Sequence, residues 1–200
     1  MNSEKGFTLV EVLIAITLVF LIGAAIVNID FASRIGFIQA GNKSKVINEA
    51  RFAMKHITRN LRLANQVSIN SLPSGIITMT LRLDYDLSTN TPLNTPSDFT
   101  DDYECQYRYQ PAQRKITYAH KSLAGGGGWG VFEDITNPSI AGGAGGDVTA
   151  CSFNFLGGPA SVPAVTITIK VRAKAGLPVS PSNPEVNLQT KVILRCRGRS

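Results

Sequence analysis

The hydrophobic pattern of the chain begins with a long apolar run and later changes its period twice. Residues 7–29 carry a single charge, that of Glu11. At a rise of about 1.5 Å per residue, a helix over these residues spans the roughly 30 Å hydrocarbon core of a bilayer. The pattern therefore predicts a membrane-spanning helix over residues 7–29, preceded by a short polar segment over residues 1–6.

After residue 29 the apolar positions recur at helical spacing, and charged residues occupy the other faces. The apolar positions are Val46, Ile47, Ala50, Ala53, Met54, Ile57, Leu61 and Ala64. This spacing predicts that residues 30–70 form the amphipathic half of the same helix, which ends near Val67. The turn-forming residues Pro73-Ser74-Gly75 then close the helical region.

From residue 71 onward the period of the pattern falls to two, which is typical of half-buried β-strands. Strands are predicted near residues 77–83, 103–109, 115–120, 148–156, 165–171 and 188–196, with proline- and glycine-rich loops between them. Residues 71–200 are therefore predicted to form a globular β domain. The predicted fold class is α+β, a long N-terminal α-helix packed on an antiparallel β-sheet domain.

Glu11 lies inside the apolar run, where a carboxylate is costly unless its charge is neutralised. A cleaved secretory signal peptide is a poor alternative, because the run is too long and no small-residue cleavage site follows it. A plain membrane anchor explains the length of the run but not the carboxylate. If the chain is cut between Gly6 and Phe7, the new α-amino group lies close to Glu11 and is equally available to a neighbouring copy.

The N-terminal end of the chain resembles the type IV pilin and pseudopilin superfamily, through Gly6-Phe7-Thr8-Leu9-Val10-Glu11 and the apolar run. The resemblance implies that residues 1–6 are a leader, that prepilin peptidase cuts after Gly6, and that the amine of Phe7 is methylated. It also implies that Glu11 acts in filament assembly. The implied location is a single-pass inner-membrane protein, with the β domain periplasmic or extracellular, that is later extracted into a filament.

Two later segments resemble PilW-like minor pilins and GspJ-like pseudopilins: Ala50-Arg51-Phe52-Ala53-Met54 with Ile57-Thr58-Arg59-Asn60-Leu61-Arg62, and Thr190-Lys191-Val192-Ile193-Leu194-Arg195. This resemblance implies a low-copy structural subunit near the filament tip, which helps to prime assembly. Its implied partners are other pilin or pseudopilin subunits, the inner-membrane assembly platform and membrane lipid. An adhesin that binds DNA or a surface, and the major pilin itself, are the alternatives. Neither the leading role nor these alternatives is enzymatic.

The chain is basic, with a formal net charge of +6, and its 44% hydrophobic and 17% charged residues are ordinary for a folded domain. A basic surface can bind anionic lipid, acidic subunits or DNA. Six cations near the C-terminus can form a basic edge that binds phosphate. They are Lys170, Arg172, Lys174, Arg195, Arg197 and Arg199. Protection of an edge strand by its charges is the more economical interpretation.

Three cysteines, Cys105, Cys151 and Cys196, share the inward parity of the apolar residues in their strands. Both buried thiols and cross-strand disulfides predict this parity, and Cys105–Cys151 and Cys151–Cys196 are the candidate bridges. An odd count leaves at least one thiol free or paired between chains. No zinc site is expected, because no two cysteines are close in sequence and the two histidines are far apart.

Asp84, Asp86, Ser88 and Asn90 have the alternating oxygen spacing of a calcium-binding loop. Thr89 replaces the expected glycine, and Thr95 replaces the expected bidentate glutamate. Other acids of the loop, Asp98, Asp101 and Asp102, are alternative oxygen ligands. We therefore expect a solvated acidic loop without a metal or cofactor, and keep calcium at Asp84 and Asp86 as the weaker alternative.

Overall fold

The structure is a computed structural model that describes residues 8–86, 89, 91–93, 100–124, 126–136, 146–156, 163–181 and 183–194. The chain divides into two units, Met1–Gly41 and Asn42–Ser200. A single helix, α1 (Leu9–Leu63), begins in the first unit and ends in the second. In the first unit its side chains are exposed as far as residue 38, so this part has no core of its own.

The second unit contains the rest of α1 and ten β-strands within the described residues. The strands are β1 (Ala64–Ser71), β2 (Ile77–Leu83), β3 (Tyr85–Asp86), β4 (Thr91–Pro92), β5 (Tyr103–Gln110), β6 (Lys115–Ser122), β7 (Glu133–Asp134), β8 (Asp147–Leu156), β9 (Ala164–Arg172) and β10 (Glu185–Ile193). They form a five-stranded sheet in the order β1-β2-β5-β6-β7, a three-stranded sheet in the order β10-β9-β8, and the small pair β3-β4. Every pairing is antiparallel.

The core of the second unit forms where the buried face of α1 packs against the buried faces of the strands. Val46, Ala50, Ala53, Ile57 and Leu61 are spaced three or four residues apart and form one buried stripe of α1. Alternate residues of β2, β5, β8 and β9 complete the cluster. The two alanines are the small residues of this stripe, and both are fully buried. The predicted α+β fold, a long helix packed on antiparallel sheets, is confirmed.

The predicted end of the helix was wrong. Helix α1 ends at Leu63, whereas a helical end near Val67 and an amphipathic half reaching residue 70 were expected. Residues 64–71 instead form β1, which pairs along its whole length with β2. The strand pattern was present, because Val67 and Ile69 are half-buried and alternate with exposed polar residues. The change from helix to strand at Ala64 was not recognised, because the helical spacing of the preceding residues continues to that position.

The outer strands also differ in detail from the prediction. Strand β10 begins at Glu185 and ends at Ile193, three residues earlier at each end than the predicted final strand. Val192 and Leu194 are buried as expected, although Leu194 lies just beyond the strand. Phe155, which has the parity of the buried Cys151 and Phe153, is 49% exposed because the end of β8 extends past the core.

The face of the five-stranded sheet opposite Cys105 is held by polar and aromatic contacts. Lys121 pairs with Glu104 of the neighbouring strand at 2.9 Å. The Lys121 ammonium also lies 4.8 Å from the centre of the Trp129 ring, and the Arg108 guanidinium lies 3.7 Å from the Phe132 ring. These cation–π contacts hold the segment that leads into β7 against the sheet. They involve Trp129, the single tryptophan of the chain, which belongs to the second unit.

Candidate functional site

Helix α1 begins with a reciprocal hydrogen-bond pair between Thr8 and Glu11. The main-chain N–H of Thr8 donates to Glu11 Oε2 at 2.9 Å, and the Thr8 hydroxyl donates to the same oxygen at 3.0 Å. In return, the N–H of Glu11 lies 3.3 Å from Thr8 Oγ1. The Thr8 carbonyl accepts the first helical bond, from Val12. Thr8 is therefore the N-cap, and the two residues form a capping box.

This capping role was not predicted for Thr8 or for Glu11. The signal was in the sequence, since threonine followed three residues later by glutamate, at the start of an apolar run, is the signature of a capping box. Both hydrogen bonds to the carboxylate use Oε2, so Oε1 keeps its capacity to accept a further donor. Glu11 can thus cap its own helix and offer an acceptor to an ammonium group at the same time.

Gly6 and Phe7 lie outside the described residues, so their predicted cleavage and methylation stay predictions. The position of Thr8 still constrains them. Because Thr8 is the N-cap, an α-amino group on Phe7 would belong to the residue just before the cap. The Thr8 amide is retained after a cut between Gly6 and Phe7, and the capping box can therefore persist in the processed chain.

The surface that follows Glu11 is apolar on every side. Large side chains such as Leu9 (85% exposed), Phe20 (78%) and Val27 (67%) are open along the helix. The Thr17 hydroxyl donates to the carbonyls of its own preceding turn, so it adds no unsatisfied donor. Helix α1 is long and apolar enough to cross a membrane. This fits a membrane-anchored subunit.

A buried polar cluster links the second half of α1 to the five-stranded sheet. The Asn60 amide donates to the Tyr107 hydroxyl at 2.8 Å, and this hydroxyl lies 2.9 Å from His56 Nδ1. Burial lowers the pKa of His56, and the nearby Arg59 charge acts in the same direction. The lowered pKa favours the neutral imidazole, which shares a hydrogen bond with the Tyr107 hydroxyl, and this hydroxyl also donates to the His56 carbonyl at 3.3 Å. Asn60 is not among the apolar positions of the helical pattern, so this contact was not predicted.

Cys105 and Cys151 are both buried free thiols in the structure. The predicted inward parity is therefore present, and the candidate Cys105–Cys151 bridge is not formed. Burial raises the pKa of both thiols, which keeps them protonated and unreactive. Because Cys151 is free, the second candidate bridge, Cys151–Cys196, is not formed either, and Cys196 itself lies outside the described residues.

The acidic loop does not assemble a metal site within the described residues, which contain no cluster of three or more potential metal-binding acids, histidines or cysteines. Asp84 is buried, and Asp86 accepts a hydrogen bond from the Thr89 main chain at 3.3 Å. Asp102 pairs with Arg82 at 2.9 Å, and burial raises the pKa of the Asp102 carboxyl. Ser88, Asn90, Thr95 and Asp98 lie outside the described residues, so calcium stays a prediction.

The predicted basic edge is only partly available for a ligand. Arg172 is engaged by Glu185 at 2.6 Å and by the Leu177 carbonyl at 3.2 Å. This pair lowers the pKa of the Glu185 carboxyl. The cations at positions 195, 197 and 199 lie outside the described residues. Arg172 therefore joins neighbouring segments of the protein, whereas Lys174 of the same predicted edge is exposed.

The comparisons with known proteins agree with the N-terminal site. Residues 1–27 match the family model of the prokaryotic N-terminal methylation motif. No curated protein and no solved structure is significantly similar to the chain. The match covers the segment that contains Gly6, Phe7, the capping box and most of the exposed apolar surface. The chain therefore carries the predicted N-terminal methylation motif, which supports the predicted likeness to type IV pilins and pseudopilins, and the PilW-like or GspJ-like subtype stays a prediction.

Proposed function

We propose that this chain is a low-copy structural subunit of a type IV pilus or of a pseudopilus like that of type II secretion. Prepilin peptidase cuts it between Gly6 and Phe7 and methylates the new amine. The apolar half of α1 then holds the subunit in the inner membrane, with the β-sheet unit outside the cytoplasm. During assembly this half enters the filament core, where Glu11 accepts the Phe7 ammonium of a neighbouring subunit.

The observation that carries this proposal is the matched motif at the start of an exposed apolar helix. The capping geometry adds a mechanism. In lipid, a carboxylate with only its own helix as partner remains poorly neutralised, whereas an ammonium–carboxylate pair removes the net charge of both groups. A neighbouring Phe7 amine can bind Oε1 while Oε2 stays on Thr8, so pairing need not unwind the helix.

The low-copy role rests on the two segments, at residues 50–62 and 190–195, that resemble PilW-like and GspJ-like subunits. It places the subunit near the filament tip, among the minor subunits that prime assembly. The buried residues of the first segment include Ala50, Ala53 and Ile57, which form the helix face against the sheets. Part of that resemblance therefore reflects the packing of a helix on a sheet.

Charge at Glu11 can be separated from helix capping by two substitutions. Glu11→Ala removes both the charge and the capping oxygen, whereas Glu11→Gln keeps an oxygen that can cap the helix. In the native host we expect both variants to be cleaved and membrane-bound, and both to fall at least about tenfold in sheared filaments. Normal incorporation of Glu11→Gln would mean that the charge has no assembly role.

Mass spectrometry of the N-terminal peptide tests the remaining steps. We expect a methylated N-terminus at Phe7, in sheared filaments, at trace abundance relative to the dominant subunit. Near-equal abundance would make the chain the major pilin, and processed protein found only in membranes would indicate a secretion pseudopilus. An intact Met1, or a cut elsewhere, would contradict the proposed processing.

A further inference from the structure

A groove of about 720 Å³ lies within the Asn42–Ser200 unit, away from the N-terminal motif. One wall is formed by the second half of α1, and Tyr85 of β3 and Leu188 of β10 complete its lining. Its volume lies within the range of roughly 300–1,000 Å³ that is typical of binding clefts. The groove can therefore hold several side chains of a partner.

Four cations line the α1 wall of the groove: Arg51, Lys55, Arg59 and Arg62. Their spacing of four, four and three residues aligns them on one side of the helix, along about 16 Å of its axis. All four are exposed. Arg51, Lys55 and Arg62 keep positive charge exposed along this wall, so an anionic partner would be attracted to it.

The rest of the groove is apolar rather than charged. Met54 and Leu63 of α1 and Leu188 of β10 are half-buried there. Such a floor takes up aliphatic side chains, and a methionine adapts readily to their shape. Leu188 also belongs to an edge strand, because β10 pairs with β9 alone within the described residues. An edge strand offers main-chain donors and acceptors that a peptide can use.

Taken together, the cations, the aliphatic floor and the strand edge fit a peptide that is acidic and partly aliphatic. Phosphates of DNA or of lipid would bind the cations but would leave the aliphatic floor uncovered. A second copy of this chain is disfavoured by charge, since each copy carries +6. The complementary partner is therefore a different, acidic polypeptide.

We propose that this groove, lined by Arg51, Lys55 and Leu188, receives an acidic segment with aliphatic side chains from a different subunit of the same filament. The inference rests on the proposed function, because it takes the partner to be a filament subunit. In this proposal the groove selects a particular neighbouring subunit. The apolar half of α1 cannot make that selection, because such subunits have it in common.

The test uses the full chain in its native host, with a photoreactive phenylalanine derivative in place of Thr58, which lines the groove. A matched chain carries the same group in place of Ser74, in an exposed turn. After irradiation, mass spectrometry identifies the crosslinked peptide. From position 58 we expect an acidic, partly aliphatic segment of another pilin-family subunit, and from position 74 we do not expect that segment.

Charge reversal shows whether the stripe selects this partner. Arg51→Glu combined with Lys55→Glu should lower the crosslink yield at least about fivefold, because it removes the attraction to an acidic segment. The control is Lys174→Glu, an exposed cation outside the groove, which should leave the yield within about twofold. Trp129 fluorescence during denaturation verifies that all variants fold.

Several outcomes would overturn the inference. They are a crosslink to a second copy of this chain, to DNA, to lipid, or to a neutral or basic segment, and the absence of any crosslink from position 58. Equal yields in the charge-reversed and control chains would also overturn it. Incorporation into filaments is scored separately. If the chain enters filaments but gives no crosslink, the proposal for the groove is wrong and the proposed function stands. If the crosslink forms but the chain does not enter filaments, the proposed function is wrong and the groove still binds an acidic segment.

Discussion

The two halves of helix α1 are both rich in apolar residues, but only one of them is covered by the folded chain. No side chain that the structure describes in the first unit is buried, whereas the second half buries Val46, Ala50, Ala53, Ile57, Asn60 and Leu61. The second half has charged residues on its other faces, and it buries a narrow stripe that includes two alanines. The first half has large aliphatic residues all round, including at Leu9 and Ile26.

The difference shows that apolar content does not determine what a helix contacts. A narrow apolar stripe is satisfied by one sheet surface of the same chain. A surface that is apolar all round needs cover on every side, and lipid or a bundle of neighbouring helices supplies it. The proposed filament function uses both, since the second half orders the β-sheet unit and the first half is reserved for contacts outside the molecule.

The largest expected effect comes from making the same substitution, isoleucine to alanine, in each half of the helix. Ile57 is fully buried and Ile26 is 61% exposed. Ile57→Ala should lower the free energy of unfolding of the second unit by about 2–5 kcal/mol, because it leaves a cavity in the core. Ile26→Ala should change it by less than about 0.5 kcal/mol. Chemical denaturation of the detergent-solubilised full chain, followed by Trp129 fluorescence, measures both. Similar losses in the two variants would mean that the halves are not distinct.

Much of this contrast could be predicted from the sequence. The apolar run, its isolated Glu11 and the alternation in β2, β5 and β9 indicated the α+β fold and the N-terminal motif directly. The transition at Leu63–Ala64 could not be located, because helical spacing and strand alternation overlap there and the pairing with β2 decides the outcome. The groove beside Leu188 joins residues that are far apart in the sequence, so no local pattern reveals it.

The capping box gives a second, smaller test, confined to the first half. Thr8→Ala removes the hydroxyl that accepts from the Glu11 amide, and it should destabilise the first helical turn by about 0.5–2 kcal/mol. Hydrogen exchange in residues 9–12 should rise by roughly 2- to 30-fold, with unfolding of the second unit unchanged. Thr8→Ser keeps the cap and serves as the control. If Ser and Ala variants exchange alike, the hydroxyl does not cap the helix.

His56 gives a pH test of the second half. Burial holds the pKa of folded His56 below its ordinary value of 6.5, so the unfolded chain binds a proton first as the pH falls. The contribution of His56 to stability should therefore decline as the pH falls through 6.5 towards the lower folded pKa. His56→Gln should flatten this part of the profile. A profile with the same slope in both chains would exclude His56 as its source.

The smallest expected effect on stability is that of a reducing agent. It tests whether packing alone, without a disulfide, holds the second half of α1 against the sheets. Cys105 and Cys151 are buried free thiols, so reduction should leave the unfolding midpoint unchanged. Because burial raises the pKa of both thiols, iodoacetamide should modify them only when denaturant opens the core.

A Cys105–Cys151 disulfide would behave in the opposite way. Reduction would then lower the free energy of unfolding by about 2–4 kcal/mol, and no thiol would be available at either position before reduction. Alkylation before and after reduction, read by peptide mass at each cysteine, therefore distinguishes a core held by packing from one held by a covalent bond.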